Sequence, residues 1–440
     1  MTISRRAFVS TLAAVFGGEA LPWIYAAERP SALRINPDRL REGLEGLSRY
    51  GRPEGGNFSD GVTRTGFSDA DVAGRNYVMQ RMRAFGLELR VDAAGNILGS
   101  RPGSEAGLKT ILFGSHIDSV PSGGNFDGDL GSMSAIEVMQ TLMEKGVVTR
   151  HPLQMAIWVD EEDTFAGSAA AAGLLQPADL ALQHNNISVA DGIRRLGGDP
   201  AKLADARLSP ENLQCYLELH IEQGGNLYKA KVPIGVVQGI VCIDRYEVEI
   251  RGFANHAGTT PMNERHNALL AAARLIETVQ DVVTREPGRQ VGTVGRLQVF
   301  PNAPNVVPGR VEHSIELRDL SAEKIARLGD EIRTAAQEIA RQTGTEISFQ
   351  RVEHHAGADA NPEIQTKIEA AAAALGLKTL RLPSGAGHDA QMIAKVCPIG
   401  MIFVPSIEGI SHSPRESTSW QDCANGANVL LHTILLLDQA

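Results

Sequence analysis

Residues 110–128 read TILFGSHIDSVPSGGNFDG, and this stretch decides the fold that we expect. The apolar run at 110–114 is typical of a buried strand, and His116 and Asp127 follow it in a Gly-rich loop. A helical pattern over 133–144 comes next along the chain. A strand, a polar loop and a helix in this order form the unit from which α/β domains are built.

Similar apolar runs recur outside this stretch, at 155–159, 216–219 and 401–404, and a second helical pattern covers 364–374. Strands that alternate with helices are typical of a sheet whose strands run mostly in parallel. The sequence therefore predicts an α/β domain with a mixed, largely parallel sheet.

The stretch 241–355 has a different pattern and predicts a separate unit. It reads β-α-β-β-α-β, the order of a ferredoxin-like α+β sandwich. We therefore expect an inserted domain at 241–355 between two parts of the larger domain, 28–240 and 356–440. The expected elements are a strand at 246–250, a helix from Pro261, strands at 293–300 and 311–318, a helix capped by Ser321, and a strand at 345–352.

The composition is that of an ordinary globular protein, with 43% apolar and 21% charged residues among 440. That length allows two or three domains. The formal net charge is −10 and no basic block occurs. Because phosphate binding needs a concentrated basic surface, nucleic acid is not expected as a partner.

The four cysteines are far apart and show no CxxC spacing, so a cysteine zinc site is not expected. Their even number leaves disulfides open, although we interpret them mainly as buried thiols. They are Cys215, Cys242, Cys397 and Cys423.

Residues 1–27 predict an export signal. Arg5 and Arg6 precede an apolar stretch that ends in small residues, and paired arginines followed by Phe are typical of the twin-arginine route. The alternative is a transmembrane anchor, but Gly17 and Glu19 interrupt the apolar run. We expect a periplasmic or otherwise exported protein with no stable membrane span once the signal is removed.

Four segments place His, Asp or Glu directly after apolar runs, where open α/β sheets build their sites. Imidazole and carboxylate suit zinc, and also manganese or cobalt. A carboxylate can bridge two ions, and of two adjacent glutamates one can bind metal while the other acts as general base. Each segment alone has a plain alternative, such as a structural histidine or a turn, but their co-occurrence favours a metal site. The segments are 114–128, 159–162, 218–224 and 410–413.

An ordered set of motifs covers roughly residues 35–438 and closely resembles a dimetal amidohydrolase family. That family includes N-carbamoyl-L-amino-acid hydrolases, allantoate amidohydrolases and β-ureidopropionases, and it is related to dizinc amino- and carboxypeptidases. The motifs are GSHIDSVPSGGNFDG, DEE, LHIEQG, NHAGTTPM, NVVPG, SGAGHDA and SHSPRE.

The resemblance implies two divalent metal ions per chain, zinc or else manganese or cobalt. Asp127 would bridge them, Glu161 would be the general base, and Asp118 would orient a metal-bound imidazole. The remaining ligands would be His116 and His220 on one ion, and Glu162 and His412 on the other.

The inserted domain would be a lid that closes over the substrate and joins two chains in a homodimer. His256 would stabilise the transition state, and Asn305 and Arg318 would bind a substrate carboxylate, with Gln223 and Arg245 as further candidates. The alternatives are that His256 caps the helix expected from Pro261, that Asn305 is a turn residue, and that both arginines are ordinary strand or surface residues.

These observations together predict a metal-dependent hydrolase of linear amide or ureido C–N bonds that acts on a small carboxylate-bearing substrate. The resemblance favours an N-carbamoyl-L-amino-acid hydrolase or an amidohydrolase of allantoate or another ureido acid. The alternatives are a dimetal peptidase on the same scaffold and a non-catalytic exported binding protein. One departure from the family is the compact loop at 163–168, which puts the usual substrate in doubt.

Overall fold

The computed structural model describes residues 33–184 and 186–439, so the export signal expected at 1–27 lies outside the described residues. All four cysteines are buried and free. Among the helices that the structure describes, none combines the length and the apolar character needed to span a membrane.

The described residues form two sheets of more than two strands, with helices against each. The strands are β1 (Glu88–Val91), β2 (Ile97–Arg101), β3 (Thr110–His116), β4 (Leu153–Trp158), β5 (Gln183–His184), β6 (Ile187–Ser188), β7 (Leu213–Ile221), β8 (Ile234–Ile240), β9 (Cys242–Arg251), β10 (Asn255–His256), β11 (Val291–Thr293), β12 (Leu297–Phe300), β13 (Val306–Val307), β14 (Arg310–Asp319), β15 (Glu346–His355), β16 (Ala358–Asp359), β17 (Thr379–Ser384) and β18 (Ile399–Val404). The α-helices are α1 (Pro37–Leu47), α2 (Asp69–Ala84), α3 (Asp129–Glu144), α4 (Ala166–Ala171), α5 (Val189–Arg195), α6 (Asn226–Ala230), α7 (Ala268–Thr284), α8 (Ala322–Thr343), α9 (Pro362–Ala374), α10 (Asp389–Ile393) and α11 (Trp420–Asp438).

The larger sheet is mixed, as the sequence predicts. Its order is β1-β2-β4-β3-β7-β18-β8-β16, and β17 pairs with β8. The neighbours β4, β3, β7 and β18 all pair in parallel, whereas the flanking strands β1, β2 and β16 are antiparallel. Helices α3, α9 and α11 pack against this sheet, and α4 and α10 contact each other beside it. The parallel centre brings four strand ends to one edge of the sheet.

The smaller sheet has the order β11-β14-β9-β15, with β12 also beside β14, and its pairs are antiparallel. Helices α7 and α8 pack on each other and on this sheet, around buried apolar residues such as Val248, Leu275, Ile315 and Leu328. The chain order β-α-β-β-α-β is therefore observed. Contacts join the described residues from Arg34 onward into one compact unit, and the domain bounds at 240 and 355 stay predictions.

Two details of this region differ from the sequence-based expectation. The helix begins at Ala268 rather than at Pro261, because the Asn267 side chain accepts hydrogen bonds from the backbone N–H groups of Leu269 and Leu270. The strand expected at 293–300 is two short strands, β11 and β12. The expected cap of α8 is confirmed, since the Ser321 hydroxyl accepts from the N–H of Lys324.

Candidate active site

The carboxyl ends of the parallel central strands carry the candidate metal ligands. His116 is the last residue of β3, the acidic residues Glu161 and Glu162 follow β4, and His220 is the penultimate residue of β7. The loop after β18 contains His412. These strands are neighbours in the sheet, so their ends meet at one edge, the usual place for a site in an open α/β fold.

The first group of ligand atoms surrounds one oxygen of Asp127. Its Oδ1 lies 3.1 Å from Nε2 of His220 and 3.7 Å from Nε2 of His116. All three side chains are buried, and their ligand atoms lie close enough to hold a single ion.

The second group surrounds the other oxygen of the same carboxylate. Oδ2 of Asp127 lies 3.4 Å from Nε2 of His412, and that nitrogen is 3.3 Å from Oε2 of Glu162. The imidazole of His412 is about half exposed, whereas both carboxylates are largely buried. The two oxygens of Asp127 thus face two different sets of ligands, which is the arrangement of a bridging carboxylate.

The donor atoms fit divalent ions in spacing and in chemistry. Ligand atoms at about 2.1 Å from a zinc ion lie roughly 3.4 Å apart when the angles are tetrahedral. Among the buried side-chain atoms without a hydrogen-bond partner in the part of the chain that the structure describes are Nε2 of His116, Oδ1 of Asp118 and Oε1 of Glu162. Since an unpaired buried polar atom is costly, a cation is the natural partner for this group.

The electrostatics of the cluster point the same way. Burial raises the pKa of Glu161 well above the usual range, and the negative charge of Asp389 adds to this effect. Burial and the negative charge of Asp127 do the same to the pKa of Glu162. Burial would also raise the pKa of Asp127, but the neighbouring imidazoles, His220 foremost, hold it well below that range. A divalent cation among these carboxylates would relieve their mutual repulsion.

Backbone carbonyls orient two of the imidazoles. Nδ1 of His116 lies 3.0 Å from the carbonyl oxygen of Asp118, and Nδ1 of His220 lies 2.9 Å from that of Ile221. A carbonyl can only accept, so each Nδ1 carries a proton, and in the neutral form of the ring each Nε2 has a lone pair that a metal can take. The Asp118 carboxylate, expected to orient His116, is farther away at 3.7 Å and instead accepts from the N–H of Glu162 at 3.1 Å.

A cavity of about 510 Å³ opens beside the ligands and also reaches the smaller sheet. Arg318 of β14 lines it together with Glu161 and His412. Its Nε donates to Oε1 of Glu316 at 2.8 Å and its Nη1 to the carbonyl of Gly385 at 2.6 Å. The structure therefore brings this expected substrate-binding arginine to the candidate metal site.

Gln223 lines the same cavity. Its Nε2 donates to Oδ2 of Asp127 at 2.7 Å and lies 3.3 Å from Nε2 of His412. This side chain therefore contacts the candidate ligands themselves, which sequence reasoning did not anticipate.

His256 and Asn305 lie next to each other but outside the cavity. β10 pairs with β13, and the N–H of Ala257 donates to the carbonyl of Asn305 at 2.9 Å. Both side chains are exposed, and neither lines the cavity with the metal ligands. The alternative in which His256 caps the next helix is wrong, because Asn267 caps it.

Arg245 also lies outside the cavity lining. Its Nε donates to Oε2 of Glu316 at 3.1 Å, and its Nη1 donates to Glu353. These two glutamates belong to the flanking strands β14 and β15, so Arg245 is held in a cross-strand ion pair on the open face of the sheet. Its expected role as a substrate ligand finds no support in this position.

The compact loop at 163–168 lies at the site, as expected from its place after the two glutamates. Asp163, Thr164 and Phe165 line the cavity.

His388, to which the sequence assigns no ligand role, also lines the cavity, with its Nε2 2.8 Å from the Ser384 hydroxyl. Sequence reasoning missed Glu353 and His355, which line the cavity from β15. A register shift between Arg351 and Glu353 determines on which face of β15 these two side chains lie, and no sequence pattern predicts that shift.

Four non-glycine residues at or beside the site have a left-handed backbone. The φ angles are 56° at Asp160, 54° at Phe165, 57° at Gln223 and 52° at His412. Such conformations cost energy and persist only where the surroundings impose them, most often at functional sites.

Comparisons with known proteins agree with this geometry. The model of peptidase family M20/M25/M40 matches residues 112–436. An N-carbamoyl-L-amino acid amidohydrolase of Geobacillus stearothermophilus is 40% identical over 411 residues, 92% of this chain and 99% of that protein. Allantoate amidohydrolase of Escherichia coli is 33% identical over 400 residues, 89% and 95% of the two chains. The crystal structure of an amidase of the hydantoinase/carbamoylase family from Burkholderia multivorans has a TM-score of 0.84 at 32% identity, covering 93% and 99%.

Proposed function

Because the chain belongs to peptidase family M20/M25/M40, we propose that it is a metal-dependent hydrolase of linear amide or ureido C–N bonds. We further propose that its substrate is an N-carbamoyl-L-amino acid or a related ureido acid such as allantoate. The observation that carries this proposal is the carboxylate of Asp127, whose two oxygens face separate ligand groups beside Glu161, in a cavity that Arg318 also lines.

The residues that would hold metal ions fall into two groups around Asp127. His116 and His220 would hold one ion, and Glu162 and His412 the other. Divalent ions bound there supply Lewis acidity for the substrate carbonyl and make water a better nucleophile at neutral pH. The donor set suits zinc, manganese or cobalt.

Glu161 is the residue best placed to move the proton. It is buried, it lines the cavity, and its Oε2 lies 3.6 Å from Nε2 of His116. It would take a proton from the attacking water as the new C–O bond forms, and then deliver it to the leaving nitrogen as the C–N bond breaks. Arg318 would bind the substrate carboxylate and so orient the scissile bond.

His256 would donate a hydrogen bond to the oxygen on which negative charge develops. For this it must approach the cavity, either by movement of the smaller sheet or from a second copy of the chain. We favour a homodimer through the segment 241–355. Six large apolar side chains of this segment are exposed, namely Phe253, Met262, Leu270, Val291, Leu297 and Val352.

The export signal remains part of the proposal. Replacement of Arg5 and Arg6 by Lys should keep the protein in the cytoplasm if the twin-arginine route is used. Fractionation of cells that express the parent and the variant tests this. Unchanged export would contradict the route but not export itself.

A hydrolysis panel on metal-loaded protein tests the proposed activity. The panel contains N-carbamoyl-L-amino acids, allantoate, ureidoglycolate and dipeptides, each assayed before and after metal removal by a chelator. We expect metal-dependent release of the amine from at least one ureido acid and little hydrolysis of dipeptides. Preferred cleavage of dipeptides would identify a peptidase, and no turnover of any compound would favour a binding protein.

A further inference from the structure

Glu416 is a buried carboxylate beside the candidate metal site, to which neither the sequence motifs nor the proposed mechanism gives a role. Its side chain is 6% exposed. Its Oε1 accepts hydrogen bonds from two consecutive backbone N–H groups, those of Phe126 and Asp127, each at 3.0 Å. One carboxylate oxygen therefore fixes the backbone of the residue whose side chain faces both ligand groups.

The other oxygen of Glu416 reaches the loop that carries His412. The Ser411 hydroxyl lies 2.7 Å from Oε2 of Glu416 and 3.0 Å from Oδ2 of Asp127. The hydroxyl lies within hydrogen-bond distance of both carboxylates, and its single hydrogen is donated to one of them at a time. Since Ser411 directly precedes His412, these contacts set how far that imidazole lies from Asp127.

The backbone is shaped to admit this carboxylate. A Cβ placed on Gly124 would lie 2.1 Å from Oε1 of Glu416 and 2.3 Å from its Cδ. Any other residue at position 124 would thus collide with Glu416. The loop that precedes Asp127 and the loop that follows β18 are built around one side chain.

We propose that Glu416 is a positioning residue that sets the spacing of Asp127 and His412 and thereby controls the affinity for one ion of the pair. The affected ion is the one that Asp127, Glu162 and His412 would hold, so the inference rests on the proposed two-metal function. The other ion depends less on Glu416, because backbone carbonyls hold the imidazoles of His116 and His220. Residues that orient metal ligands typically change metal affinity 10–100-fold when they are removed.

Calorimetric titration of Mn²⁺ or Zn²⁺ into chelator-stripped protein tests this inference without relying on activity. In Glu416→Ala one of the two ions should lose roughly 10–100-fold in affinity, and the affinity for the other ion should fall by a clearly smaller factor. Ser411→Ala should weaken the same ion by a smaller factor, because the backbone bonds of Glu416 remain.

Two further variants distinguish a positioning role of Glu416 from a general loss of structure around the site. Glu416→Gln keeps an acceptor for both N–H groups and offers Ser411 a donor, so it should stay within about threefold of the parent affinity. Arg415→Ala is the matched control, because Arg415 is the exposed neighbour whose ion-pair partner is Glu408 at 3.5 Å. It should leave both affinities unchanged.

The possible outcomes distinguish this inference from the proposed function. If Glu416→Ala or Ser411→Ala binds both ions as the parent does, the positioning role is overturned. If Glu416→Ala does not fold, Ser411→Ala still decides it. If the parent itself fails to bind two ions, the two-metal function fails, and the inference fails with it.

Discussion

The edge of the larger sheet that carries the candidate metal ligands, here called the ligand edge, differs from the segment 241–355 in how many of its expected site residues lie at the cavity. At the ligand edge, His116, Asp127 and His220 are all buried, with their ligand atoms within a few ångströms. In the inserted segment Arg318 reaches the cavity, but His256 and Asn305 remain exposed outside it.

This difference separates two tasks that one active site must combine. Ligands on the ends of packed strands hold their geometry before any substrate arrives. Groups that lie outside the cavity, such as His256, can contribute only after a movement or an association, which the binding energy of the substrate can drive. Ion binding should therefore depend on the larger sheet alone, and turnover on both regions.

The largest expected loss of activity comes from a substitution at the ligand edge. Glu161→Gln should lower kcat by about 10²–10⁴-fold and leave metal content intact, because only the proton-transfer group is lost. His412→Ala is the contrast, and it should lower metal occupancy as well as rate. Steady-state kinetics with elemental analysis measures both. Retention of more than about a tenth of the parent activity in Glu161→Gln would exclude it as the base.

His256→Ala should lower kcat by about 10²–10³-fold, the typical loss of one oxyanion donor, with unchanged metal affinity. The activity of a mixture of the purified His256→Ala and Glu161→Gln proteins then shows whether His256 acts in the site of its own chain or in that of a partner chain. If a partner chain supplies it, a mixed dimer contains one intact site and activity returns. If the segment closes over its own chain, every site keeps one defect and mixing restores nothing.

Arg318→Ala should cost roughly 2–4 kcal/mol in kcat/KM, because the substrate carboxylate loses a charged partner. An uncharged amide analogue should be a poor substrate for the parent but lose little more in the variant. The two proteins and two substrates form a double-mutant cycle. Additive losses would mean that Arg318 is only a strand residue.

Arg245→Ala should have the smallest effect, a change below about 1 kcal/mol in kcat/KM, because its partners are partly exposed glutamates on neighbouring strands rather than the substrate. The same assays measure it beside Arg318→Ala. A larger loss that is confined to carboxylate-bearing substrates would restore Arg245 as a substrate ligand.

Sequence patterns predict elements and ligand types well where local physics decides them. The apolar run at 110–114 and the histidine after it gave both the central strand β3 and a ligand at its end. The cap at Ser321 was equally local. The start of α7 was missed because Pro261 is a plausible first residue, whereas the side chain of Asn267 provides the observed cap.

Residue roles that depend on tertiary placement could not be predicted in the same way. Alternation places Arg245 on the open face of its strand, but only the sheet register shows that Glu316 and Glu353 bind it. The motif with His412 was visible in the sequence, yet the carboxylate of Glu416 gains its importance only from the backbone it contacts 289 and 290 residues away.

The left-handed backbones at Asp160, Gln223 and His412 are positions where a gain in thermal stability would come at the expense of the site. Each such conformation costs on the order of 1–3 kcal/mol, and glycine would adopt it without that cost. A laboratory selection for thermal tolerance alone would therefore favour glycine at these positions. Each replacement would remove a carboxylate, an amide or an imidazole from the site. Stability and catalysis compete at these three residues, and an engineered variant must gain its robustness elsewhere.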